Sequence, residues 1–182
     1  VFNNGTDIGF GHLTEKGADM TLLWNASFFE EFCPLVLEDA DCKGNYLSLN
    51  SVQQERIRGA LVYSVNATCE ECPLGLDIEQ AEFSINVFAN AILGSCRQTG
   101  HVVYNNTNEA PSAKTSYEDL WRFTLVDYNA GAGCLSLAIG ETLKKNHLFT
   151  TQFLNLWNFH RITNWNNCIN FHMWWNFQKI SQ

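Results

Sequence analysis

The sequence predicts an all-α protein, an irregular helical domain rather than a heptad bundle. Three observations lead there. Apolar residues recur at helical spacing in five segments, the alternation expected of strands is nearly absent, and residues that start helices stand just before two of the segments.

The elements follow in order. After a glycine-rich opening, NNGTDIGFGHLTEKGAD, residues 18–32 place Leu22, Leu23, Phe28, Phe29 and Phe32 at helical spacing, and Pro34 limits any extension. A loop with Cys33, Asp39, Asp41, Cys42 and Gly44 comes next. Asn50 or Ser51 then suits the N-cap of a helix through Ile57, Leu61 and Val65. The CEECPLG loop leads to a third helix over residues 78–96, with Ala81, Ile85, Phe88, Ile92 and Cys96 as its apolar stripe. Residues 99–115 read as a loop with a brief extended piece at 102–104. Ser116 caps a fourth helix, with Asp119 near the capping-box position and a stripe of Tyr117, Leu120, Trp121, Thr124, Leu125 and Tyr128. A fifth begins near Gly133 and runs through Leu135, Ile139 and Leu143.

At 182 residues, with 46% apolar and 16% charged side chains, the chain suits one globular domain. No apolar run approaches the roughly 18 residues needed to cross a bilayer. No cationic segment followed by an apolar one stands at Val1, so a signal peptide is expected to have been removed or never to have been included. The net charge of −8 argues against a nucleic-acid partner, which needs a basic surface. That charge is uneven: residues 1–141 hold all 19 acidic groups and a net −12, while residues 142–182 hold four basic groups and no acid.

Six of the seven cysteines lie before residue 141, an even number that suits up to three disulfides and an oxidising, extracellular or cell-envelope location. Cys69 and Cys72 have zinc-knuckle spacing, but a structural zinc needs a second such pair, and none follows. His101, His147, His160 and His172 lack partners at metal spacing. No metal and no cofactor are expected.

A boundary falls near residue 147. Residues 148–182 hold four of the six tryptophans, five phenylalanines and seven asparagines, with no Gly, Ala, Val, Pro, Asp or Glu. Such a tail departs from globular composition. It is expected to pack poorly and to be foreign to the domain, as an out-of-frame or junction-derived read would be.

The chemistry concentrates at Tyr128-Asn129-Ala130-Gly131-Ala132-Gly133, where one amphipathic helix runs into two glycines and another resumes. Glycine permits a tight bend there. A tyrosine hydroxyl and ring with an asparagine amide suit a neutral, hydroxyl-rich ligand such as a sugar, or else a capped helix corner. The hexapeptide resembles the YNAGPG signature of lysozyme-like lytic transglycosylases. Gly9-Phe10-Gly11-His12-Leu13-Thr14 is similar to that family's earlier G-L-G/M-Q-L-T segment. The resemblance covers residues 5–146. It implies a lysozyme-like fold over residues 1–147, peptidoglycan glycan strands as partner, and His12, Tyr128, Asn129 and Gly131 as substrate-binding positions.

Two residues depart from the family pattern: His12 stands for Gln and Ala132 for Pro. The family's general acid is a Glu well before the G-x-G-Q segment, whereas Val1 stands only eight residues before Gly9. That acid is therefore expected upstream of Val1, and the domain to lack its first helix. Protonating a glycosidic oxygen needs a carboxylic acid held neutral. Within the chain Asp7 and Glu15 flank the GFGHLT segment and are accessory carboxylate candidates. The implied activity is cleavage of the MurNAc–GlcNAc bond by a complete domain; the alternatives are a non-catalytic glycan-binding module and a secreted, disulfide-stapled interaction domain.

Overall fold

Helix α1 (Glu15–Trp24) starts where it does because the Thr14 hydroxyl accepts the Gly17 N–H at 3.0 Å, with Glu15 in the favourable first turn. This is a computed structural model, and it describes residues 13–144. The described residues are helical apart from turns and isolated bridge residues, Thr68 with Leu76 among them. The all-α class is thus observed. The tail boundary at 147/148, with the whole of 148–182, lies outside the described residues.

The chain divides into two compact units, Val1–Arg97 and Gln98–Gln182. In the first unit, residues 18–32 do not form the single helix expected. α1 ends at Trp24 and α2 (Ala26–Phe32) begins afresh after Asn25. Asn25 is 1% exposed, and its side chain holds the break open. Its Nδ2 donates to the Asn90 carbonyl and Oδ1, and its Oδ1 accepts from Arg97 and Ser27.

Three 3-10 turns follow, the first joined to the second by the Cys33–Cys42 disulfide. Helix α3 (Ser51–Ser64) has the anticipated Asn50 cap, whose Oδ1 accepts the N–H groups of Val52 and Gln53. Gln53 returns the bond to the Asn50 N–H, completing a capping box. Leu22, Phe29, Ile57, Leu61, Val65 and Val87 are each at most 1% exposed and form this unit's core. An Asp19 carboxylate on α1 accepts from Arg58 on α3 at 3.0 Å and from the Tyr46 hydroxyl. Burial and that carboxylate push the Tyr46 phenol well above its usual range.

Helix α4 (Ile78–Thr107) runs 30 residues, far beyond the expected end near Cys96. Of the loop expected over residues 99–115, residues 99–107 continue the helix with no extended piece at 102–104, and Val102 and Val103 are buried. Gly100 weakens a helix in isolation, but the apolar side continues through Thr99, Val102 and Val103, and packing overrides propensity. The helix stops at Asn108, whose φ of 55° is a conformation asparagine tolerates and whose N–H returns to the Tyr104 carbonyl. Ala81 of the expected α4 stripe is buried and Phe88, Ile92 and Cys96 are partly so, but from residue 84 on the most buried side is turned by one position. Ser84, Val87, Ala91, Ser95 and Thr99 face inward, while Ile85 is 53% exposed.

The described residues of the second unit form the end of α4, the short α5 (Pro111–Lys114), α6 (Tyr117–Ala130) and α7 (Ala132–Lys144). Its core is Val102, Val103, Phe123, Leu135 and Ile139, with Val126, Ala132 and Leu143 packed against it. Asn106 on α4 ties to α7 by donating to Ser136 Oγ at 2.9 Å.

Candidate functional site

Ser116 starts α6 as anticipated: its hydroxyl oxygen accepts the Asp119 N–H at 3.1 Å and its O–H donates to Asp119 Oδ2 at 2.7 Å. On α6 the expected Thr124 is buried and Leu120, Trp121 and Tyr128 are partly buried, but the most buried side is again turned toward the preceding positions. Asp119, Phe123, Thr124 and Asp127 are buried, whereas Tyr117 and Leu125 are exposed. This rotation leaves Tyr128 half-buried and Asn129 exposed at the end of the helix.

The corner is tighter than a loop. Gly131 alone separates α6 from α7, with φ 85° and ψ 155°, a combination essentially confined to glycine. Its N–H reaches back to the Asp127 carbonyl at 2.7 Å, and its own carbonyl accepts from Cys134 and Leu135 to start α7. One residue therefore ends one helix and begins the next. Gly133, by contrast, lies inside α7 with open space where a Cβ would be, and the bend does not need it.

Asn129 uses one amide N–H on the Leu125 carbonyl at 2.7 Å, one turn back in its own helix. Its Oδ1 and second N–H point from an exposed position and can serve a ligand. Beside it in sequence, Asp127 is 1% exposed, and its Oδ2 accepts from the Thr99 hydroxyl at 3.4 Å. Burial pushes this carboxyl from its ordinary 3.8 up to about 7, against the smaller opposing pull of the Thr99 hydroxyl. Asp127 was missed in the sequence; an acid at i+4 from Phe123 and i+8 from Asp119 becomes conspicuous only once the inward face is known.

Of the other expected site residues, Asp7 and His12 lie outside the described residues, as do Gly9, Phe10 and Gly11. Glu15 belongs to the first unit, where it is an exposed first-turn residue of α1. The end of the GFGHLT segment serves the fold: Leu13 is 2% exposed and Thr14 is the α1 cap. Tyr128, Asn129 and Gly131 are brought together at the corner of the second unit.

Cys69 and Cys72 form a disulfide, so the knuckle spacing holds no metal in this state. No three His, Cys, Asp or Glu side chains among the described residues are grouped to hold a metal ion. Cys96 is a partly exposed free thiol. No described helix is long and apolar enough to cross a membrane. No protein-family model matches the chain, and no curated protein or solved structure matches it.

Proposed function

We propose that the chain is a lysozyme-like domain of the lytic transglycosylase kind that binds peptidoglycan glycan strands, with Tyr128, Asn129 and Gly131 at the wall of the sugar site. The observation that carries this is the corner itself. A Tyr-Asn-Ala-Gly sequence ends an amphipathic helix, a positive-φ glycine turns the chain, and an exposed amide with a spare donor and acceptor stands at the turn. A side-chain amide and a phenol suit the hydroxyl and N-acetyl groups of a neutral sugar. The Cys33–Cys42 and Cys69–Cys72 disulfides among the described residues fit an oxidising, extracellular or cell-envelope setting.

Binding is the part these residues can perform. Asp127 is held near neutrality, as a general acid must be, but at 1% exposure it cannot hand a proton to a glycosidic oxygen. Cleavage in this family relies on a Glu, and Glu15 stands in an exposed first turn rather than in an apolar pocket.

Sedimentation with purified cell-wall sacculi tests the proposal. The chain should pellet with them, and Tyr128→Phe with Asn129→Ala should reduce the bound fraction several-fold at unchanged melting temperature. Equal pelleting of the double variant overturns the site. Mass spectrometry of the supernatant for 1,6-anhydro or reducing muropeptides separates a cleaving enzyme from a binding module. The bond from Asn129 to its own helix favours a second reading, a disulfide-stapled interaction domain whose corner is purely structural. In that case the substitutions alter melting alone.

A further inference from the structure

The first unit contains an open groove of about 440 Å³ formed by α2, the turn after it, and the first turns of α4. Its walls are aromatic. Phe28 and Phe32, one helical turn apart on α2, stack with ring centroids 5.6 Å apart, and Phe32 meets Phe83 of α4 at 6.2 Å. The two α2 rings are 5% exposed and locked in the core, while Phe83 is half-buried and Leu35 stands 74% exposed at the rim.

Glu31, Glu79 and Glu82 also line the groove, all three exposed. None forms an ion pair or side-chain hydrogen bond with a described residue, whereas Asp19 in the same unit is paired with Arg58. Three carboxylates of one sign beside apolar walls create a local field that attracts a cation. They do not converge on a point that could hold a metal ion. An extended organic cation with an apolar stem meets both features: the stem lies along the rings and the charged head sits among the carboxylates. The volume accommodates one or two side chains and is too small for a folded surface.

We propose that this groove docks a lysine- or arginine-bearing peptide segment, its alkyl stem against Phe83 and its cation between Glu31, Glu79 and Glu82. The assignment is independent of the sugar site and does not rest on it.

Fluorescence anisotropy with the full chain tests it, using a dye-labelled hexapeptide of alternating lysine and leucine and its glutamate–leucine counterpart. The basic peptide should bind and the acidic one should not. Raising salt from about 0.05 to about 0.5 M should weaken binding about tenfold, and the Glu31→Gln/Glu82→Gln variant should do the same at low salt. Phe83→Leu should weaken binding while leaving its salt dependence in place. The glutamates are exposed and unpaired among the described residues, so the Gln variants should melt with the unaltered chain. Equal binding of both peptides, no binding of the basic one, or indifference to the Gln substitutions would each overturn the assignment. So would self-association abolished by those same substitutions, because the occupant would then be a second copy of the chain.

Discussion

Asn25 in the first unit and Asp127 in the second are both 1% exposed polar side chains on helix α1–α2 and α6 segments, yet their surroundings differ sharply. Asn25 draws partners from residues 65 and 72 positions away, the Asn90 amide and the Arg97 guanidinium, and every face of its amide is used. Asp127 meets the Thr99 hydroxyl at 3.4 Å, and its carboxyl is driven up to about 7. The other buried polar groups of the second unit turn inward on their own helices: Thr124 donates to the Leu120 carbonyl and Thr142 to the Ala138 carbonyl. Burial of a neutral amide with complete partners costs little, whereas burial that drives an ionisable group's pKa upward makes stability depend on pH. The first unit should therefore be indifferent to pH at its buried site and the second should not.

The largest expected effect exploits that difference. The folded Asp127 carboxyl keeps its proton up to about 7, while the unfolded one releases it near its ordinary 3.8. The stabilisation this group provides is fully present below the unfolded value and is lost as pH rises through the folded value. The total loss is on the order of 4 kcal/mol. Urea unfolding across pH 4 to pH 8 should show this decline. Asp127→Asn, which carries no ionisable proton, should flatten it and be the more stable protein at the alkaline end. A slope unchanged by that substitution would mean the carboxyl is solvated or charge-compensated.

A smaller effect tests the other side. Asn25→Ala removes the amide that Asn90 and Arg97 share, at a cost of about 1–3 kcal/mol. Because no proton is involved, the penalty should be the same at pH 5 and pH 8. The guanidinium of Arg97 is exposed enough to find water, which keeps the value toward the lower end. Thermal melts of the variant at both pH values check the magnitude and its constancy. A pH-dependent penalty would erase the contrast between the units.

Local signals in the sequence were legible where local chemistry decides. Asn50 and Ser116 cap the helices expected of them, and Leu135 and Ile139 form the inward side of α7. The rotation of the α4 and α6 stripes was not legible. Ile85 and Leu125 look like core residues, but small and polar groups such as Ser84, Thr99 and Asp127 take the inward positions. That choice depends on close packing against other helices: a Cβ on Gly94 of α4 would stand 3.6 Å from the Thr21 backbone of α1. The Asn25 break was hidden for the same reason, since its partners lie far along the chain. At the candidate site the glycine corner could be read from two glycines, but not which of the two makes the turn. Asp127 was invisible because its significance lies in burial that no spacing announces.

The two glycines give the smallest and sharpest test. Gly131 sits at φ 85° and ψ 155°, where an L side chain is strained whatever the space, and nothing lies within 4 Å of its would-be Cβ. Gly131→Ala should therefore cost about 1–3 kcal/mol through backbone strain alone, without any clash. Gly133 has equally open surroundings but helical geometry within α7, so Gly133→Ala should be neutral or stabilising by up to about 1 kcal/mol. The pair differs in conformation and not in crowding, so paired melting curves isolate the backbone's contribution to the corner. If both substitutions destabilise alike, the turn is made by the glycine pair as a flexible unit, and Tyr128 and Asn129 are not held by a fixed bend. If only Gly131→Ala does, sacculus binding by that variant becomes the finest probe of the site, because it disturbs the presentation of the tyrosine and the amide while leaving both side chains in place.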